Sequence, residues 1–459
     1  MSENTPVSTP QIGPINPTIE ATQIQNGLTP PVAKKPTILF MSDSPLLHTG
    51  QAVVMREIAL GLHKTGKYNI VVAGWGFNGY PHNYPFTILP ASARDFGKNG
   101  HPEAGIYGLE KIIEMVQPQV LWTVADIWMV NYINDLPNRN KFKWVAYTPV
   151  DGTPVPKYWF DWLNKVDQVV CETQYGVDEM LLAEPNHKNP RFIYHGCNIE
   201  SFKPLTVEDK IKNRGLVNYA SVKDMHNLEL KKGLPVDDFI VGVVARNQPR
   251  KNFDKIIKGF SIFARGRSDV KLWCHSAPVD QAYNIPQLAD MYGLKNKVLF
   301  TPNYNIGNGL SETDLNIVMN LFDVHLLPTQ GEGFGIPILE TMAAGVPQIV
   351  TDFSSQVEFA KHGGELIPVN FPDDFITGIP HPVERAIPRA TEIAKILEKL
   401  YTDKEYRLEL GKKARVQAEK MTWAVTIPQW EDVMDGLINP VLAKPGQAVK
   451  SSSLNLLEV

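Results

Sequence analysis

Two series of short apolar runs, each interleaved with stretches of helical periodicity, constrain this 459-residue chain more tightly than any other feature of its sequence. The first series begins at residues 37–41 (TILFM), followed by a turn-rich loop at 42–50 and a helical stretch with Met55, Ile58 and Leu62 on one face, which Gly66 is placed to end. Further runs fall at 68–73, 120–124, 143–147, 168–171 and 191–194. The second series starts at 239–244 (FIVGVV) and continues at 270–274, 297–300, 323–327 and 348–350. Strands buried on both faces read as continuous apolar runs, and parallel strands need crossover helices between them. The pattern therefore predicts an α/β chain of two Rossmann-like domains with a ligand-binding cleft between them. We place an N-terminal domain at 36–204, a charged, helical linker at 205–235 and a C-terminal domain at 236–420. A last helix at 421–440 carries Trp423, Ile427, Trp430 and Met434 at core spacing. Residues 1–35 are rich in Pro, Thr, Asn and Gln without apolar periodicity and are expected to be a disordered tail, with a second flexible tail at 441–459.

Charge narrows the functional classes. The net charge is −4, and Lys+Arg against Asp+Glu is 15 to 18 over residues 1–200 and 30 to 31 over the rest, so neither half offers a broad footprint for a phosphate backbone. Arg56, His63, Lys64 and Lys67, in or beside the first helix, read as a solvated face. No run approaches the roughly 18 apolar residues of a membrane span, and the opening MSENTPVSTP lacks the basic and apolar regions of a signal peptide. The expectation is a cytoplasmic protein without stable membrane insertion. Cys171, Cys197 and Cys274 stand in no paired spacing and suggest neither disulfides nor zinc.

The chemistry concentrates in residues 329–345, TQGEGFGIPILETMAAG. A strand ends near Leu327, a glycine-rich turn follows, Pro337 suits the first turn of a helix and Gly345 its end. Exposed N–H groups at a helix start, approached closely through glycine, favour a phosphorylated ligand. The stretch is neither a G-x-G-x-x-G dinucleotide fingerprint nor a Walker A loop. Glu332 in the loop and Glu340 one turn into the helix are placed to reach different parts of one extended ligand; the plainer reading is a solvated pair at a helix start. Arg246 and Lys251, in the turn after the strand at 239–244, are placed to converge on one anion. Fixed cations neutralise a departing diphosphate without reorganising, and no D-x-D pair occurs to hold a metal on a nucleotide.

At these residues the chain resembles the retaining GT-B glycosyltransferases of family four, also called group 1 transferases. The resemblance rests on the Arg246-to-Lys251 spacing, the Glu332-x7-Glu340 motif with its internal Gly-Phe-Gly, and the following Ala-Ala-Gly-Val-Pro. It implies that Arg246 and Lys251 hold the donor diphosphate, that Glu340 binds the ribose hydroxyls, and that Gly333, Phe334 and Gly335 line the phosphate and sugar. It further implies that Glu332 contacts the transferred sugar, that Gly50 lies beside the donor, and that the base is bound near Asn303 to Asn305. Transfer with retention from a UDP- or GDP-sugar, without a metal or other cofactor, follows from the same likeness, as does a terminal helix that crosses back to the N-terminal domain.

The N-terminal half is expected to supply the acceptor side. Many relatives carry a histidine here to which this sequence has no close match. Asp151, after the strand at 143–147, is the first candidate for a catalytic polar residue and Asp126, after the strand at 120–124, the second; each would otherwise be a helix cap. The Gly- and aromatic-rich loop at 74–82 is a possible acceptor loop that could equally fold onto its own domain. A glycan, lipid, protein or modified nucleobase remains open as the hydroxyl acceptor. Other readings of the same pattern are a sugar-nucleotide epimerase, a phosphorylase, or a module that binds nucleotide or glycan without catalysis.

Overall fold

The computed structural model describes residues 35–91, 105–106, 108–225, 230–302, 304, 309–378 and 381–439. Nearly all of the expected N-terminal tail, the C-terminal tail at 441–459, and Asn303 and Asn305 lie outside them.

Each apolar run of the first series is a strand, β1 (Thr37–Asp43), β2 (Asn69–Trp75), β4 (Val120–Val124), β5 (Lys143–Thr148), β6 (Gln168–Cys171) and β7 (Arg191–Phe192), and the structure adds β3 (Thr87–Pro90), which the sequence reading did not identify. They form one parallel sheet in the order β3-β2-β1-β4-β5-β6-β7. Helices cover both faces, which is why β4 (VLWTV) is apolar at every position but its threonine and buried throughout. The chain moves outward from β1 through β2 to β3, then returns to lay β4 on the other side of β1. That reversal leaves a crevice outside the carboxyl ends of β1 and β4.

The second sheet repeats the arrangement. It comprises β8 (Asn218–Ser221), β9 (Lys231–Lys232), β10 (Phe239–Val244), β11 (Val270–His275), β12 (Val298–Phe300), β13 (Val324–Leu327), β14 (Gln348–Thr351) and β15 (Gly364–Ile367). Their order is β15-β14-β13-β10-β11-β12-β8-β9, with the reversal between β10 and β13. Segment 205–235 departs from the helical expectation. After the helix Val207–Leu216, β8 pairs antiparallel to β12, and Tyr219 packs on Trp273 with ring centroids 6.2 Å apart. An open sheet edge, invisible to local periodicity, draws this polar segment into extended structure.

Two tertiary devices join the domains. The helix Trp423–Ile438 leaves the C-terminal half and buries Trp430, Val433 and Met434 in the N-terminal core, where the Trp430 ring lies 5.5 Å from Trp122 and 4.8 Å from Tyr147. Gly196 makes that crossing possible, because a Cβ there would overlap the backbone of Trp423. The second device is a hairpin of β16 (Phe375–Thr377) and β17 (Glu384–Ala386), which the sequence reading did not identify. Glu384 and Thr153 exchange backbone hydrogen bonds of 3.1 and 2.6 Å, so the C-terminal domain grips the loop after β5.

Candidate active site

The segments after β10 and β13 meet at the C-terminal crevice. Past β10 the chain makes a single 3-10 turn, Pro249–Lys251, and Asn252 adopts a left-handed conformation (φ 53°) before the helix Phe253–Phe263. Asn252 donates to the Pro328 carbonyl (2.8 Å), the Gln330 side chain donates to Asn252 (3.2 Å), and the Gln330 N–H donates to the Arg250 carbonyl (2.8 Å). These bonds fix the two segments against each other and set the side chains that follow.

Glu332 is the hub. It is 4% exposed, and its carboxylate receives both Lys251 Nζ and Arg250 Nη1, the latter at 2.7 Å. Burial acts to raise its carboxyl, but Arg250 and Lys251 together outweigh burial and hold it near 2. Lys251, 7% exposed, is pulled down to about 8 by burial first and Arg250 second, against the attraction of Glu332. Two cations sharing one carboxylate leave this triad, in which Lys251 and Glu332 are buried and Arg250 is partly exposed, with a formal excess of one positive charge, which suits an incoming anion. Arg250 was absent from the sequence reading; the signal for it was its position beside Lys251 in an Arg-Lys pair.

Arg246 does not join that triad. Its Nε donates to Asp280 (3.0 Å), and the side chain is partly exposed. Across the crevice it acts on Asp43 at the end of β1: burial raises the Asp43 carboxyl, opposed by the Thr49 hydroxyl and by Arg246. Thr49 donates to Asp43 (2.5 Å) and caps the helix Gly50–Lys64 by accepting from the Ala52 N–H (3.2 Å). Gly50, first in that helix, faces the start of the helix Ile336–Ala343, with 3.5 Å from a notional Cβ to Ile336 Cδ1. Arg246, Gly50 and the start of that helix thus lie around one opening, with Lys251 and Glu332 at its C-terminal wall.

Glu340 occupies the far side of the same helix. Burial, with Glu312 adding to it, pushes its carboxyl up to about 8 against the pull of Arg56. Glu332 and Glu340 have no partner in common, so the two carboxylates address separate parts of the crevice. Gly335 enters the helix at φ 103°, a conformation that other residues rarely adopt. Gly333 lies against the N-terminal domain: a Cβ there would come within 2.7 Å of Glu172 Oε2 and overlap Pro149. The Phe334 side chain, 2% exposed, stacks on Phe359 (4.8 Å) and lies against His195 (4.3 Å), so it anchors the loop in the core and leaves the backbone as the part that can face a ligand.

On the N-terminal side Asp151 is held bidentately by Arg385 of β17, with Nε to Oδ2 at 3.2 Å and Nη2 to Oδ1 at 2.9 Å. Asp126, directly beyond β4 and Ala125, makes no side-chain cap hydrogen bond. Glu172 after β6 and His195 after β7 complete this wall, with His195 Nε2 3.6 Å from Glu172 Oε1. Sequence reasoning missed both, although each follows a predicted strand, the position where open α/β sheets bind ligands. In the 74–82 loop, Trp75 and Phe77 are buried in their own domain and Tyr80 is exposed. Tyr304 lies over His275 (4.3 Å), at the end of β11. Among the described residues no group of His, Cys, Asp and Glu has the geometry of a metal site, and no helix is long and apolar enough to cross a membrane.

The arrangement has known counterparts. Residues 225–417 match the sequence profile of the family described as glycosyl transferases group 1. The chain is 28% identical over 233 residues to the serotype-specific mannosyltransferase WbdA of Escherichia coli, covering 50% of this chain and 25% of that protein. It thus spans about a quarter of that relative's length. It is 21% identical over 404 residues to a D-inositol 3-phosphate glycosyltransferase of Mycobacterium tuberculosis, covering 86% of this chain and 72% of the relative. Among solved structures, sucrose-phosphate synthase from Thermosynechococcus elongatus superposes with a TM-score of 0.67 at 16% identity, over 89% of this chain and 100% of that one. Anabaena HepE in complex with UDP and glucose does so with a TM-score of 0.64 at 14% identity, over 87% and 100%. Two Rossmann-like sheets, each with a crevice at its strand-order reversal, and these likenesses lead to one assignment: the chain has the GT-B fold, and its residues 225–417 match the glycosyl transferases group 1 profile.

Proposed function

We propose that the protein transfers a sugar from a nucleoside-diphosphate sugar to a hydroxyl acceptor, with retention of anomeric configuration and without a metal ion. The observation that carries this reading is the cationic triad of Arg250, Lys251 and Glu332, its lysine and carboxylate buried, beside the start of the helix Ile336–Ala343 and flanked by Arg246. A diphosphate lying between Arg246, Lys251 and that helix start has its developing charge stabilised by groups already in place. Glu332, buried and ionised, favours positive charge near the anomeric carbon, while Glu340 is free to take the ribose hydroxyls at the other end of the donor. The departing diphosphate then accepts the acceptor proton on the face it leaves, so the protein need not supply a strong base. HepE was solved with UDP and WbdA is named a mannosyltransferase, so a UDP- or GDP-linked hexose is the donor class to test first. Three buried free cysteines accord with a cytoplasmic setting.

The deciding experiment combines calorimetry of UDP, GDP and their sugars with NMR of the first-formed product. A nucleotide sugar that binds, and a product with the donor's own anomeric configuration, support the reading. An inverted product refutes the retaining mechanism, and release of a free epimer without an acceptor refutes transfer.

A further inference from the structure

Four carboxylates stand at the strand ends of the cleft, and two of them are bound by cations. Asp151 is bound by Arg385, Glu332 by Arg250 and Lys251, and Glu172 lies beneath Gly333 with His195 at 3.6 Å. Asp126 makes no side-chain hydrogen bond, and it is partly exposed at the carboxyl end of β4, next to the crevice where the strand order reverses. Burial first, then Asp151 and Glu172, push its carboxyl up to about 7, against Arg250 and Arg385. A second observation points to a ligand at the same wall. His195 is 3% exposed, yet both ring nitrogens lack a hydrogen-bond partner, and Nε2 is the one nearer Glu172. Buried polar groups left in this condition are rare unless something absent completes them.

Resting on the transferase reading above, we propose that Asp126 receives the hydrogen bond of the acceptor hydroxyl in a subsite walled by Glu172 and His195, and that the acceptor is an uncharged sugar. The class follows from charge and shape. The two arginines that act on Asp126 are already committed, Arg385 to Asp151 and Arg250 to Glu332, so among the described residues a phosphate on the acceptor would meet carboxylates beside arginines that are already paired. Two exposed aromatic rings gather on His381. Trp128, 36% exposed, lies two residues beyond Asp126 with its ring 5.1 Å from His381, and Tyr158, 40% exposed, shares a 2.7 Å hydrogen bond with the same histidine. Aromatic faces beside buried carboxylates suit a ring that is apolar on one side and hydroxylated at its edge.

The test uses the full chain with UDP-glucose and GDP-mannose as donors. Acceptors are the methyl α-glycosides of glucose, mannose and galactose, and the 6-phosphates of the same glycosides. Transfer to the neutral glycosides, falling by at least about tenfold with the 6-phosphates, is expected. Asp126→Asn should lower kcat/KM for the acceptor on the order of ten- to a hundredfold, the loss of one charge-assisted hydrogen bond, with nucleotide affinity unchanged and Asp126→Glu intermediate. If Asp126→Asn does not bind nucleotide, Trp128→Ala carries the test, by raising the acceptor KM while kcat and nucleotide affinity hold. The inference is overturned if phosphorylated acceptors are preferred, if Asp126→Asn transfers at the wild-type rate, if Trp128→Ala leaves the acceptor KM unchanged, or if the wild-type chain binds a nucleotide sugar and transfers to neither set. A wild-type chain that binds neither nucleotide sugar sinks the transferase reading itself.

Discussion

Replacing Glu332 by Gln separates three quantities that a simple loss of binding would move together. The carboxyl is held near 2 against its usual 4.5, because Arg250 and Lys251 outweigh the cost of burial. At about 1.4 kcal/mol per pKa unit, that depression corresponds to roughly 3 kcal/mol of folded-state stability. A depressed carboxyl contributes above its unfolded value and loses its contribution as pH falls through the folded one. The wild-type protein should therefore exceed Glu332→Gln by about 3 kcal/mol at neutral pH, with the gap closing between about pH 4.5 and 2. The amide also leaves Arg250 and Lys251 without their counter-charge, so UDP or GDP should bind at least as tightly as before. Turnover should nevertheless fall on the order of a hundred- to a thousandfold, because the group favouring positive charge at the anomeric carbon is gone. Denaturant titration followed by tryptophan fluorescence, nucleotide calorimetry and a sugar-transfer assay read the three quantities separately. Equal stability at neutral pH, a gap indifferent to acid, or affinity and turnover falling in parallel would each refute the reasoning.

Arg246→Ala and Lys251→Ala should each weaken nucleoside-diphosphate binding by about 1.5 to 3 kcal/mol, the range of a charge-assisted contact, and unchanged calorimetric affinity in both would place the donor elsewhere. Transfer should survive EDTA, since the diphosphate charge is met by fixed cations; activity abolished by chelation and restored by Mg²⁺ or Mn²⁺ would contradict this. Gly196→Ala should lower stability by about 1 to 3 kcal/mol, because the added Cβ meets the rigid backbone of Trp423 rather than a flexible side-chain end, and a melting temperature equal to wild type would show that the last helix is free to shift.

Local sequence determined the frame of the protein. Runs such as VLWTV at 120–124 and FIVGVV at 239–244 are apolar because helices cover both faces of their strands, so burial is written into consecutive residues. The glycine-rich turn, Pro337 and the two glutamates could be read in the same way, because the conformation a glycine permits and the start a proline favours are local properties. Tertiary structure alone decided the rest. β8 is extended because β12 offers it an open edge, and the hairpin of β16 and β17 matters because Arg385 finds Asp151 across 234 positions of chain. Phe334 sits in a ligand motif yet turns into the core, since Phe359 and His195 give it a place there. Arg250, Glu172 and His195 carry no motif of their own. They become a site only when two sheets bring strand ends distant in sequence within a few ångströms, because charge and burial depend on distance in space and not on spacing along the chain.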